Sequence, residues 1–137
     1  MIIEKSSMQN QSSFIVGIGT DVVQITRIEK LYEKFGEKFL YKNYHEFEIK
    51  EFERLGKEKK CSFLAKRFAG KEAISKAFGI GIGTKISFKD IAIVNNSLGA
   101  PIAKIFTNLI DDLDNYYIHI SLSDDYPIAL AFAVVTK

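Results

Sequence analysis

The sequence is short of the residues that staple, ligate and punctuate a chain. One cysteine, Cys61, among 137 residues forbids an internal disulfide and a multi-cysteine zinc site, and it points to a reducing compartment. The two histidines, His45 and His119, are too few for a histidine metal centre. Only two prolines, Pro101 and Pro127, interrupt the chain, and it shows no fixed-period repeat or low-complexity stretch. The longest apolar run, Ile128 to Val135, has eight residues, whereas a membrane span needs about 20. Residues 1–13 are mostly polar, without the apolar stretch of a secretory signal. The expectation is therefore a loose tail at 1–13, one domain at 14–137, a cytoplasmic location and no membrane contact.

What is present suffices for an ordinary core. At 47% apolar and 26% charged, a domain of this size removes roughly 68–70% of its unfolded surface from water. Nineteen basic residues against seventeen acidic ones are too even for indiscriminate nucleic-acid binding. The charge is nonetheless polarised. Lys57 to Lys76 carries seven basic and two acidic residues, while Thr107 to Asp125 carries five aspartates and no Lys or Arg. An anionic partner near the basic segment is implied.

Periodicity predicts an α+β chain. Phe14 to Ile18 is a short apolar run closed by glycine, a buried strand. Thr26 and Glu29 have capping-box spacing ahead of an amphipathic helix ending at Gly36. Asn43 to Leu55 reads as a second, solvated helix with Glu46 and Lys50 four apart. A third runs from a Ser62 cap to Phe78, with Gly79 at its left-handed end. Ile91 to Val94 and Ile102 to Phe106 form a hairpin around the turn-rich Asn95 to Pro101. Tyr117 to Leu122 alternates as a half-buried strand. Ile128 to Val135 is apolar on both faces, so it belongs at the centre of a sheet or at a subunit contact.

The third helix carries the chemistry. Leu64, Phe68, Glu72 and Lys76 lie along one side, so an apolar stripe runs into a carboxylate and then an ammonium. These two are either a structural pair or a metal ligand beside a phosphate-binding lysine. Asp21 follows Gly17 and Gly19 where the first strand is expected to end, and two carboxylates with no His or Cys cluster suit a hard cation such as Mg²⁺. Arg67, Lys71 and Ser75 form a second face, either solvated charge or an anion clamp. Gly79, Gly81 and Gly83 do not match a P-loop and read as a flexible turn. His119 reads as a hydrogen-bonded structural residue. Cys61, between Lys60 and Ser62 and next to Lys59, is expected to be somewhat acidified yet inert. Asp124 and Asp125 are either turn residues or a further acidic contribution. A non-catalytic nucleotide or RNA-binding module using Arg67, Lys71 and Lys76 is the competing class.

Three segments carry a resemblance. Gly17-Ile-Gly-Thr-Asp21-Val-Val-Gln-Ile-Thr-Arg27-Ile28, Phe63-Leu-Ala-Lys-Arg67-Phe-Ala-Gly-Lys71-Glu72-Ala-Ile-Ser75-Lys76-Ala-Phe-Gly79 and His119-Ile-Ser-Leu-Ser123 resemble, in order, the signature blocks of the holo-[acyl-carrier-protein] synthase family of 4'-phosphopantetheinyl transferases. The resemblance spans Ile15 to Val135. It implies a compact α+β fold, a small mainly antiparallel sheet packed with helices, and a homotrimer with active sites between subunits. The implied activity moves the phosphopantetheine arm of coenzyme A onto a serine of apo acyl carrier protein and releases adenosine 3',5'-bisphosphate. Nucleic acid and membrane are not among the implied partners. By matching position, Asp21 and Glu72 are Mg²⁺ ligands, and Lys76 joins them as a catalytic residue. Arg67, Ser75, Lys76, Gly79, Gly99 and Pro101 fall at coenzyme A contacts, and Arg27 faces the acidic carrier protein. Two positions depart from the family pattern: Asp124 stands where histidine is frequent and Ala100 where lysine is common. Both changes remove positive charge near the adenosine phosphates.

Overall fold

The structure is a computed structural model that describes residues 14–137, so the tail expected at 1–13 lies outside the described residues. In chain order the elements are β1 (Ile15–Gln24), α1 (Ile25–Phe35), α2 (Glu37–Asn43), α3 (Glu46–Glu53) and α4 (Lys57–Phe78), then β2 (Ile91–Asn95), β3 (Pro101–Ile105), β4 (Tyr117–Asp125) and β5 (Ile128–Thr136). Two antiparallel sheets are formed among the described residues, a three-stranded one in the order β1-β5-β4 and the hairpin β2-β3. Helix α4 packs along β1 and β5.

β5 is central, as its composition implied, but its two faces differ. Ala129, Ala131, Ala133 and Val135 are fully buried under α4, whereas Leu130 and Phe132 are each 42% exposed on the outer face. Small side chains on the inner face let the helix lie close to the sheet. On β1 the approach is closer still. A Cβ at Gly17 would overlap the carbonyl oxygen of Ala77, and one at Gly19 would overlap that of Ala73. Glycine is therefore required where strand and helix touch backbone to backbone.

Several boundaries differ from expectation for identifiable reasons. β1 continues through Gln24, paired with β5 throughout, so Asp21 sits within the strand rather than past its end. Its glycines are contact points and do not terminate it. Helix α1 begins at Ile25 without the Thr26–Glu29 capping box. Its first N–H is instead taken by the Pro127 carbonyl at 2.7 Å, from the turn between β4 and β5. The helix expected over 43–55 is α3, shorter at both ends, and a separate helix not expected from the sequence, α2, precedes it with Tyr44 and His45 between them. His45 starts α3 by accepting the Phe47 N–H at Nδ1 (3.1 Å), while Glu48 Oε1 accepts the His45 N–H (2.9 Å). Helix α4 starts at Lys57, five residues before Ser62, whose hydroxyl donates to the Lys59 carbonyl from inside the helix. It ends as expected at Gly79, in the left-handed conformation with φ 74°. His119 makes its expected hydrogen bond, between Nε2 and Thr136 Oγ1 at 3.0 Å.

Candidate active site

Asp21 faces the helix because it shares the inner face of β1 with Gly17 and Glu72 and Lys76 lie one turn apart on the opposing α4. The Lys76 ammonium crosses the gap, donating to the Thr20 carbonyl at 2.8 Å and to Asp21 Oδ1 at 3.2 Å. It remains 54% exposed, while Asp21 is 19% exposed. The Glu72 carboxyl is pushed above the usual carboxylate range, first by partial burial and then by the charge of Asp21, with Lys76 and Arg27 pulling it back. Two carboxylates thus repel across the strand–helix contact, offset in part by the Lys76 ammonium and the Arg27 guanidinium. A donor set made of carboxylate oxygens fits Mg²⁺, which binds few carboxylates and keeps waters and phosphates in its shell. Arg27, on α1, is drawn into the same neighbourhood with its guanidinium 5.6 Å from the centre of the Phe68 ring.

The remaining expected contacts form a second group. Arg67 is 3% exposed, so it is not solvated. It donates from Nε to the Ile93 carbonyl at 3.2 Å and from Nη2 to Asn95 Oδ1 at 3.1 Å. Burial lowers its pKa while Glu51 and Glu48 raise it. Gly99 and Pro101 belong to the tip of the β2-β3 hairpin, where Asn96 Oδ1 accepts the N–H groups of Leu98 and Ala100, both at 2.9 Å. Ser75 is buried, its hydroxyl donating to the Glu72 carbonyl at 2.9 Å. Among the described residues no hydrogen bond or ion pair links Arg67 or the hairpin tip to the Asp21 and Glu72 carboxylates. A cleft of ≈ 390 Å³ opens beside Arg67, with Lys59, Ser62, Lys66, Asn95 and Asp124 in its walls. Asp124 is paired with Lys66 at 3.0 Å.

Lys71 corrects the reading of the second α4 face. It is fully buried, ion-paired with Glu48, and its ammonium also donates to the carbonyls of Asn43 (2.7 Å) and Phe88 (3.0 Å). Burial lowers it to about 8 against the pull of Glu48. With Lys71 enclosed and Arg67 nearly so, a nucleic-acid-binding module loses two of the three cations it relied on. Cys61 departs from expectation too, its thiol pushed up by burial and by Glu29 and Glu33 rather than acidified. Glu48 was hidden by its neighbours in a run of charged residues. Its spacing of three from His45 is the one signal that could have exposed it.

The sequence pattern of the 4'-phosphopantetheinyl transferase superfamily matches residues 17–131, a stretch that holds both carboxylates, Lys76 and the hairpin. The chain belongs to that superfamily. A holo-[acyl-carrier-protein] synthase from Orientia tsutsugamushi (strain Ikeda) is 47% identical over 128 residues, which make up 89% of this chain and 97% of the relative. Among solved structures, the Bacillus anthracis str. Ames holo-(acyl-carrier-protein) synthase in complex with CoA (3',5'-ADP) has a TM-score of 0.78 and 36% identity, covering 91% of this chain and 99% of its own. The Helicobacter pylori synthase in complex with coenzyme A has a TM-score of 0.75 and 38% identity, covering 86% and 98%. The superfamily's α+β fold is therefore that of this chain, and no described helix is long and apolar enough to cross a membrane.

Proposed function

We propose that this chain moves the 4'-phosphopantetheine arm of coenzyme A onto a serine of apo acyl carrier protein, releasing adenosine 3',5'-bisphosphate, with Mg²⁺ held by Asp21 and Glu72. The observation that carries this reading is the convergence of Asp21, Glu72 and Lys76 on the β1–α4 contact. Relatives bound to coenzyme A, and one bound to its adenosine bisphosphate part, support the donor.

Attack of a serine oxygen on a diphosphate phosphorus needs charge neutralised on the oxygens around phosphorus, with little covalent help from protein. Lys76 is suited to this task. Its ammonium is fixed by the Thr20 carbonyl and Asp21 yet more than half exposed, so it can hold a phosphate oxygen without leaving its anchor. Mg²⁺, when bound, supplies a second and stronger neutralising charge at the same place. Arg67, Ser75, Gly79, Gly99 and Pro101 serve the donor: Arg67 and the hairpin tip meet the nucleotide, and the α4 C-terminus meets the remainder of the cofactor. Arg27, on the side of α1 next to the carboxylates, faces the acidic carrier protein, whose encounter is accelerated by complementary charge.

The reading extends to a cytoplasmic homotrimer acting in fatty acid biosynthesis, with residues 14–137 as a single catalytic domain and active sites between subunits. The outer face of the three-stranded sheet supports assembly, since Ile18, Val22, Leu130 and Phe132 form a contiguous exposed apolar patch on β1 and β5. The deciding experiment incubates purified protein with apo acyl carrier protein, coenzyme A and Mg²⁺ and weighs the carrier protein. Mass gain of one phosphopantetheine group, abolished by a chelator and restored by Mg²⁺, is expected. An unmodified carrier protein beside an active control enzyme refutes the reading.

A further inference from the structure

We infer that Glu51, a residue without contact to the carboxylate pair, is a positioning residue for the coenzyme A donor, acting through Arg67 and the β2-β3 hairpin. This rests on the reading above, in which Arg67, Gly99 and Pro101 meet the nucleotide.

Glu51 sits on α3 and bridges two groups with one carboxylate. Its Oε2 accepts the backbone N–H of Asn95 at 3.1 Å, and its Oε1 receives Arg67 Nη2 at 3.5 Å. The same Nη2 donates to Asn95 Oδ1 at 3.1 Å, and Arg67 Nε donates to the Ile93 carbonyl at 3.2 Å. Carboxylate, guanidinium and the last residues of β2 thus close a ring of polar contacts. The next residue, Asn96, folds the hairpin tip by accepting from Leu98 and Ala100. An unbroken path of fixed atoms therefore runs from α3 to the loop carrying Gly99 and Pro101.

Arg67 keeps two other acceptors and lies over the Phe63 ring at 4.1 Å, so removing Glu51 does not expel it. What is lost is the restraint on its terminal nitrogens and on Asn95. Glu51 is 27% exposed, and a pair of that kind adds little to global stability because water screens it. A structural role alone predicts a small change in melting and no selective change in kinetics. A positioning role predicts a selective change toward one substrate.

The test compares wild type with Glu51→Gln, Glu51→Ala and the exposed control Glu53→Gln. Amide hydrogen exchange of residues 95–100 in the ligand-free protein is expected to quicken in Glu51→Ala, while the core of α4 stays protected. The Michaelis constant for coenzyme A is expected to rise about tenfold in Glu51→Ala. The rise should be smaller in Glu51→Gln, whose amide oxygen can still accept from Asn95, and absent in Glu53→Gln. In all of them kcat and the constant for carrier protein should stay within twofold of wild type, roughly the scatter of such measurements. Unchanged exchange in the hairpin overturns the inference, as does a coenzyme A constant within that scatter or an equal loss toward both substrates. A wild type without turnover refutes the transferase reading instead, and exchange then decides whether Glu51 positions the loop.

Discussion

Replacing Lys71 by Met leaves the buried Glu48 carboxylate with the N–H groups of His45 (2.9 Å) and Ile93 (3.0 Å) as donors and no cation. The carbonyls of Asn43 and Phe88 lose a donor at the same time. Breaking a buried pair from one side costs about 3–5 kcal/mol, because the surviving charge is left uncompensated. Glu48→Met has the mirror cost and also orphans two backbone N–H groups. Converting both residues to Met is the informative case, since replacing a whole buried pair by apolar groups is often neutral or stabilising. Here it should not be. The Ile93 N–H points into the core toward Glu48, and an unpaired buried donor costs about 1–3 kcal/mol. The His45 N–H is only partly buried and adds less, so the double variant is expected to stay about 1–3 kcal/mol below wild type. Urea denaturation followed by circular dichroism, at one protein concentration because assembly shifts apparent stability, reads all four proteins. A double variant as stable as wild type would refute the claim that this carboxylate is held in the core by backbone donors. A Lys71→Met loss below about 1 kcal/mol, the value of a surface pair, would refute the pairing itself.

Glu72→Gln is expected to remove phosphopantetheine transfer by at least about 1,000-fold while its melting temperature stays level or rises, because the substitution relieves repulsion with Asp21; retained turnover in the mass assay means that Glu72 is not a ligand. Gly17→Ala forces a methyl into the Ala77 carbonyl with backbone on both sides, and a loss of about 3 kcal/mol is expected from this overpacking. A thermal melt matching wild type would show that strand and helix have room to separate. Phe132→Lys places a charge in the middle of the exposed apolar sheet face, and light scattering after gel filtration is expected to report a smaller assembly than the parent forms, monomer in place of the proposed trimer. An unchanged mass would locate the subunit contact elsewhere.

How far the sequence could be read depended on whether depth or only direction was encoded. Helix α4 was legible from Ser62 onward because Phe63, Leu64 and Phe68 carry its buried stripe; the preceding turn, Lys57 to Lys60, has only charged residues and therefore no period to detect. Helical spacing put Arg67, Lys71 and Ser75 on one side, correctly, but spacing alone does not say whether a side faces water. Lys71 is enclosed because Glu48 comes from a different helix to meet it, and that pairing lies 23 residues away in sequence. The motif residues fared better. Asp21, Glu72 and Lys76 were identified as one group although 55 residues separate Asp21 from Lys76, because the three blocks carry their spacing with them. Arg67 shows the limit of that transfer, since its matching position did not reveal Glu51 and Asn95 as its partners.

The two glycines before Asp21 also explain why the carboxylates meet. Gly17 touches the carbonyl of Ala77 and Gly19 that of Ala73, so two strand residues advance about 6.6 Å while four helix residues retreat about 6 Å. The two rises nearly match, and strand and helix stay in register over consecutive contacts. Continuing by the same step brings residue 21 opposite the turn around Ala69 to Glu72. There the contact must open, because Asp21 has a side chain and glycine does not. The carboxylate therefore emerges at the edge of the strand–helix seam, beside Glu72 and under the reach of Lys76, which is the geometry observed. On this argument the Gly-x-Gly-x-Asp spacing is a ruler. Its glycines set the separation of β1 from α4, and the third inward position of the motif carries the side chain that meets Lys76 and Glu72.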